Sequence, residues 1–152
     1  MVESGLRQAY LRTTYWVDAK PQPIAVRIGA HQPELDRLLS GFGARRWAFI
    51  SAWNPRSMRV ATWRNARRHR ELIRTLKHQG LRWLPGIGEG DDPSWAPEPS
   101  VLVVGMSAPQ ARRVGRRFGQ NAVVIGRLGG PARLLWCAAT RSGRDASAIQ
   151  SR

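Results

Sequence analysis

Apolar residues in this chain recur with two different periods. Ile24-Ala25-Val26-Arg27-Ile28 alternates cleanly, and Tyr15-Trp16-Val17 is a second short extended run, joined to it by Lys20-Pro21-Gln22-Pro23. The spacing then widens to that of a helix. Behind Pro33, Leu35, Leu38, Leu39 and Phe42 fall at i, i+3, i+4 and i+7, with Gly41 or Gly43 to end the run. Trp47 to Trp53 (WAFISAW) reads as the next strand, stopped by the Asn54-Pro55 turn signal. A long helix opens near Ser57 or Thr62 and runs to Gly80. It carries Ala66, His69, Leu72, Ile73 and Leu76 on one face and Arg64, Arg67, Arg68, Arg70 and Arg74 on the other.

Leu81 to Leu84 is predicted as a strand and Pro85 to Pro97 as a loop, which holds the acidic residues Glu89, Asp91 and Asp92. Ser100 to Val104 reads as a strand buried on both faces. Ser107 and Gln110 have capping-box spacing, with Pro109 in the first turn of a helix whose apolar side is Ala111, Val114, Gly115 and Phe118. Ala122 to Ile125 and Arg133 to Cys137 are the closing strands. The order from Trp47 onward is β-α-β-β-α-β. It predicts an α+β fold, a two-layer sandwich with a ferredoxin-like (split βαβ) antiparallel core, extra strands at both ends and an N-terminal helix. Residues 1–139 read as one domain and 140–152 as a flexible C-terminal tail.

That topology brings distant polar residues to one edge of the sheet. Trp53 and Asn54 at the end of one strand, the start of the long helix, Glu98 and Ser100, and Gln120-Asn121 all fall there. Asn65 lies on the inward side of the long helix, next to the His69–Leu72–Leu76 stripe. Buried amides without partners cost about 1–3 kcal/mol each, so this group is expected to be paired within itself.

Composition adds a field to this picture. The chain has 152 residues, 42% of them hydrophobic, and a formal net charge of +15, which draws polyanions. Arginine greatly outnumbers lysine, a bias that a GC-rich genome also produces. The single cysteine, Cys137, excludes an intramolecular disulfide and a multi-cysteine zinc site, and implies a reducing, cytoplasmic setting. No apolar run is long enough to span a membrane, and no signal peptide is legible. The three histidines show no metal-ligand spacing, and neither a metal nor a cofactor is expected.

The segments AFISAWNPRS (48–57), Asn65 with RELIRTLKHQGLRWLPGIG (70–88), WAPEPSVLVVG (95–105) and RRFGQNAVVIG (116–126) resemble an uncharacterised bacterial family, domain of unknown function 3293. The resemblance covers Tyr15 to Cys137. Asn54, Asn65, Glu98, Ser100, Gln120 and Asn121 match its motif positions. It implies no activity. Arg59 to Arg64 (RVATWR) is basic where the family pattern is more acidic.

The resulting expectation is a protein that binds an anionic, base-containing ligand, a nucleotide or nucleic acid. The ligand-binding residues are Trp53, Asn54, Asn65, Ser100, Gln120 and Asn121. A basic patch of Arg64, Arg67, Arg68, Arg112, Arg113, Arg116 and Arg117 on two adjacent helices is expected to hold phosphate. Two other readings stay open. One is a small hydrolase or transferase with Glu98 as general acid or base; the other is a structural or interaction module with no ligand. In the absence of a ligand Glu98 is expected to pair with one of the arginines.

Overall fold

The computed structural model describes residues 2–138, so the expected tail at 140–152 lies outside the described residues. The elements are α1 (Val2–Leu11), β1 (Thr14–Val17), β2 (Ile24–Val26), α2 (Pro33–Gly41), β3 (Arg46–Ser51), α3 (Thr62–His78), β4 (Arg82–Glu89), β5 (Glu98–Val104), α4 (Ala108–Arg117), β6 (Ala122–Arg127) and β7 (Arg133–Trp136). A single 3-10 turn, Pro55–Ser57, precedes α3. The strands form one sheet in the order β2-β1-β4-β5-β3-β6-β7, and every neighbouring pair is antiparallel. The chain is thus a mixed helix-and-strand fold built on one antiparallel sheet.

Period-2 alternation in the central strands divides two cores. Ala48, Ile50, Val101, Val103, Val123 and Ile125 point to one face, where they meet Leu72 and Leu76 of α3 and Ala111 and Val114 of α4. Trp47, Phe49, Leu102, Val104 and Val124 point to the other, where Leu35 and Leu39 of α2 pack on them. A fully buried leucine contributes about 1.5–3 kcal/mol by leaving water, so each helix has its own hold on the sheet. α2 packs on the face opposite α3 and α4, and a bridge between Ile28 and Ala132 brings the two ends of the sheet together, so the sheet curls around the α2-side core where a flat two-layer sandwich was expected.

Two further differences bear on function. The helix expected near the N-terminus was read behind Pro33, where α2 stands, and a second helix, α1, precedes β1. Its signal is Leu6, Ala9, Tyr10 and Thr13 at i, i+3, i+4 and i+7. Second, β4 continues to Glu89 through what looked like a glycine-rich loop, leaving a shorter connection at 90–97. Gly86 and Gly88 pair with Val17 and Tyr15 of β1 on one side and with Ser100 and Glu98 of β5 on the other. A Cβ on Gly86 would fall 2.7 Å from the Phe49 ring and 2.8 Å from the Trp16 carbonyl oxygen, so close packing from both neighbours demands glycine there. Pro85 lacks an N–H, but its carbonyl accepts from Asp18 N at 2.9 Å.

The remaining boundaries follow the pattern closely. β3 ends at Ser51 rather than Trp53, which frees Trp53 and Asn54 for the turn. The capping box of α4 forms as its spacing requires. Ser107 N donates to Gln110 Oε1 at 2.9 Å, and Gln110 N donates to Ser107 Oγ at 3.3 Å.

Candidate functional site

The turn after β3 is the most constrained backbone in the described chain. Asn54, Arg56 and Ser57 have φ of 45°, 58° and 59°, the left-handed region that non-glycine residues seldom enter. Asparagine tolerates it; arginine and serine each cost on the order of 1 kcal/mol or more. The surroundings hold them there. Asn65, 2% exposed on α3, accepts from Asn54 N at 2.8 Å and donates through Nδ2 to Asn54 Oδ1, also at 2.8 Å. Asn54 Oδ1 accepts in addition from Val60 N at 3.2 Å. Arg56 N donates to Gly119 O at 2.7 Å, and Asn121 Nδ2 donates to Ser57 Oγ at 3.1 Å. Gln120 Nε2 reaches Trp53 O at 3.2 Å. The amides expected to converge here do converge, and they are occupied with each other and with the turn.

The network ends on a carboxylate. Asn54 Nδ2 donates to Glu98 Oε1 at 2.9 Å, and Trp95 Nε1 donates to the same oxygen at 3.1 Å. Among the described residues Glu98 takes part in no ion pair, so the expected arginine partner is replaced by two neutral donors. Burial raises its pKa above the ordinary carboxyl value, and the bonds from Asn54 and Trp95 offset part of that rise. The raised folded-state pKa favours the protonated form, so this group's contribution is full below its unfolded value and is lost as pH rises through the folded one. Glu98→Gln keeps an acceptor for both donors and carries no charge. It is therefore expected to match the parent in Tm at pH 4 and to exceed it at pH 7. Thermal melts at the two pH values check this, and a variant less stable at pH 7 than at pH 4, relative to the parent, contradicts it.

Glu98 opens into a cavity of about 340 Å³ on the α2 side of the sheet. Its floor is made by Phe49 and Ser51 of β3, Gly88 of β4, Glu98 and Ser100 of β5, and Ala122 and Val124 of β6. Gly88 sits directly across from Glu98 in the ladder, and its missing side chain leaves the space. Leu6, Ala9, Tyr10 and Thr13 of α1 and its following turn form the roof. Trp53, Asn54 and Ser57 close one side, and Asp91, Asp92 and Trp95 the other. Burial pushes the phenols of Tyr10 and Tyr15 above their usual range, so both stay neutral. Among the lining residues there is no lysine or arginine, in a chain with 25 of them. Both hydrogen bonds to Glu98 go to Oε1, which leaves Oε2 as an acceptor without a protein donor among the described residues.

Of the expected ligand-binding residues, Trp53, Asn54, Ser100 and Gln120 line this cavity, together with Glu98. Asn65 and Asn121 stand behind it as supports. Tyr10, Tyr15, Ser57 and Trp95 were not expected. The Trp95–Glu98 spacing and the α1 stripe are the sequence signals that mark them.

The arginines of the expected basic patch make different contacts within the fold. Arg68 Nε and Nη2 donate to Ala52 O at 3.2 Å and Phe118 O at 2.6 Å, bracing β3 and α4 against α3. Arg112 Nε donates to Trp136 O at 3.2 Å, and Arg116 Nε bonds the Cys137 carbonyl. These three are structural struts. Arg67 pairs with Glu71 at 3.7 Å; Arg64 lies over the Trp63 ring, and Arg117 over Phe118. Arg113 and Arg117 line a separate polar groove between α3 and α4. Buried Cys137 has its thiol pushed up to about 11 by desolvation, against the pull of Arg112 and Arg116, and is unreactive.

Among the described residues no group of three or more His, Cys, Asp or Glu could hold a metal ion, and no helix is long and apolar enough to cross a membrane. Comparison with known proteins gave no match to a curated protein and none to a solved structure. Residues 50–123 match a family described as a protein of unknown function, DUF3293. That segment includes the strained turn, Asn65, Trp95, Glu98 and Gln120, so the chain is similar to the DUF3293 family over the residues that build the network.

Proposed function

We propose that this protein binds a base-containing small molecule, of the nucleobase, nucleoside or nucleotide class, in the cavity beneath α1. The observation that carries the reading is the free Oε2 of Glu98, an acceptor opening into a space walled by Tyr10, Tyr15, Phe49, Trp53 and Trp95. Flat rings stack on such walls, and a base edge bearing N–H groups supplies the donor that Glu98 lacks. The expected roles of the amides change accordingly: Asn54 and Asn65 aim and fix the carboxylate, while Glu98 reads the ligand. A phosphate has no partner inside, since no cation lines the cavity, so the anionic part of a nucleotide stays outside the mouth. Arg59, whose guanidinium lies 4.4 Å from the Trp95 ring centroid, is one cation beside that wall.

The raised pKa favours a second reading, in which Glu98 acts as a general acid through Oε2 in a small hydrolase or transferase. The fold reading extends in the same spirit. We take β3-α3-β4-β5-α4-β6 as a ferredoxin-like unit; its support is the sheet order β4-β5-β3-β6 with antiparallel neighbours throughout.

Thermal shift with the common nucleobases, nucleosides and 5′-monophosphates tests the binding proposal. A ligand at 100 times its Kd stabilises by about 2.7 kcal/mol, which is about 5–10 °C in Tm for a domain of this size. Compounds with an exocyclic amine are expected to give the largest shifts. Glu98→Gln keeps its oxygen on Asn54 and Trp95 and turns an amide N–H₂ into the cavity, and so is expected to abolish them. A flat response to all these compounds at millimolar concentration overturns the proposal and leaves the structural module as the better description.

A further inference from the structure

Among the described residues, the two most exposed large hydrophobic side chains lie within one short segment. Met58 is 66% exposed and Trp63 63% exposed, on the approach to α3 and in its first turn. A single exposed apolar residue needs no explanation. Two in six positions, set among arginines, do. At 100° per residue, Trp63, Arg67, Arg70 and Arg74 form one stripe on the side of α3 that points away from Leu72 and Leu76, and all four are exposed. Arg64 joins its upper end, with its guanidinium 5.3 Å from the Trp63 ring centroid. The stripe runs about 16 Å along the helix at 1.5 Å per residue. Glu71 is the one acidic residue of α3, and it meets only Arg67.

We infer that this face of α3 binds single-stranded nucleic acid, with a base stacked on Trp63 and the sugar–phosphate backbone along Arg64, Arg67, Arg70 and Arg74. Charge selects the partner. A second copy of the chain brings another +15 and is repelled, whereas a polyanion gains from every contact. Geometry selects the strandedness. Duplex bases are stacked on each other and present no ring face to Trp63, while an open strand does. A membrane surface would also accept arginines beside a tryptophan, but two apolar side chains offer little to bury in lipid. The surface is separate from the Glu98 cavity: neither Trp63 nor any of the four arginines lines it. It also differs from the patch read from the sequence, because Arg68, Arg112 and Arg116 face backbone carbonyls and the tryptophan takes their place as the anchor.

Fluorescence anisotropy with labelled twelve-nucleotide oligo-dT and oligo-rU, at 50–300 mM salt, reads the interaction. Binding is expected to weaken with salt at a slope of about −3 in log K against log salt, as four phosphate contacts to a single strand give. Trp63→Ala is expected to weaken binding about tenfold with little change in slope. A variant with Arg67→Gln, Arg70→Gln and Arg74→Gln is expected to flatten the slope by about 2. All of these side chains are exposed, so unchanged circular dichroism and Tm confirm that the variants fold. The inference is overturned if neither oligonucleotide binds at 50 mM salt, or if the variants bind them as the parent does. It is also overturned if Trp63→Ala removes binding to anionic phosphatidylserine vesicles while leaving oligonucleotide binding intact.

Discussion

Asn65→Ala is expected to destabilise the fold by about 2–4 kcal/mol and, on the binding proposal, to abolish the nucleoside response in the same step. Asn65 is 2% exposed, so no bulk water replaces what the alanine removes. The loss leaves the Asn54 N–H without its acceptor and deletes the amide that holds Asn54 Oδ1. A buried polar group stripped of its partner costs about 1–3 kcal/mol, which falls on the Asn54 N–H, and Asn54 Oδ1 loses one of its two donors and keeps Val60 N. The same bonds hold Asn54 at φ 45°, and Asn54 in turn aims Glu98. Urea denaturation reads the first effect as a lower midpoint at unchanged m. The nucleoside response in thermal shift reads the second. Asn65→Asp should fall between, since it keeps the acceptor for Asn54 N but sets a second oxygen against Asn54 Oδ1. A loss below about 1 kcal/mol for the alanine variant would mean that the turn holds itself without Asn65.

Gly119→Ala is expected to cost about 2–4 kcal/mol, from two sources that a control can separate. Gly119 has φ +69°, where a side chain costs about 1–2 kcal/mol. An added Cβ would also lie 2.8 Å from Pro55 Cβ and 3.4 Å from Arg68 Nη2, and overpacking of this kind costs about 1–3 kcal/mol. The proline is part of the strained turn and cannot rotate aside, so Pro55 and its neighbours must move as a unit. Gly129 offers the comparison. Its φ is +80° and an added Cβ meets nothing within 4 Å, so Gly129→Ala reports the backbone cost alone. Chemical denaturation of both variants is expected to show Gly119→Ala as the more damaging by at least about 1 kcal/mol. Equal losses would show that the Pro55 contact is relieved at no cost.

How much of this was readable in advance depended on the range of the interaction. The α3 stripe, the α4 capping box and the inward face of Asn65 are local matters of period and spacing, and they came out as read. Convergence of Asn54, Asn65 and Glu98 followed from the order of elements, which fixes which loops share an edge of the sheet. What failed was decided by partners far along the chain. Pro85-Gly-Ile-Gly88 has the composition of a loop, yet ladders from β1 and β5 on its two sides make it strand. An arginine on an amphipathic helix looks solvated until a carbonyl such as Ala52 O or Phe118 O is placed beneath it, as for Arg68. Glu98 was expected to find an arginine among so many, but the indole of Trp95 and the amide of Asn54 reach it instead.

The family match covers only part of the cavity. Carboxylate, indoles and strained turn all come from residues 50–123, while the roof over them comes from Leu6, Ala9, Tyr10 and Thr13, before that stretch begins. A homologue that kept the shared segment and carried a different leading helix would inherit the reading head and receive a differently shaped lid. If the cavity binds as proposed, its carboxylate and its lid lie in separate stretches of the chain, and exchanging residues 1–13 between proteins that share the segment is expected to change selectivity while leaving Glu98 and its donors in place.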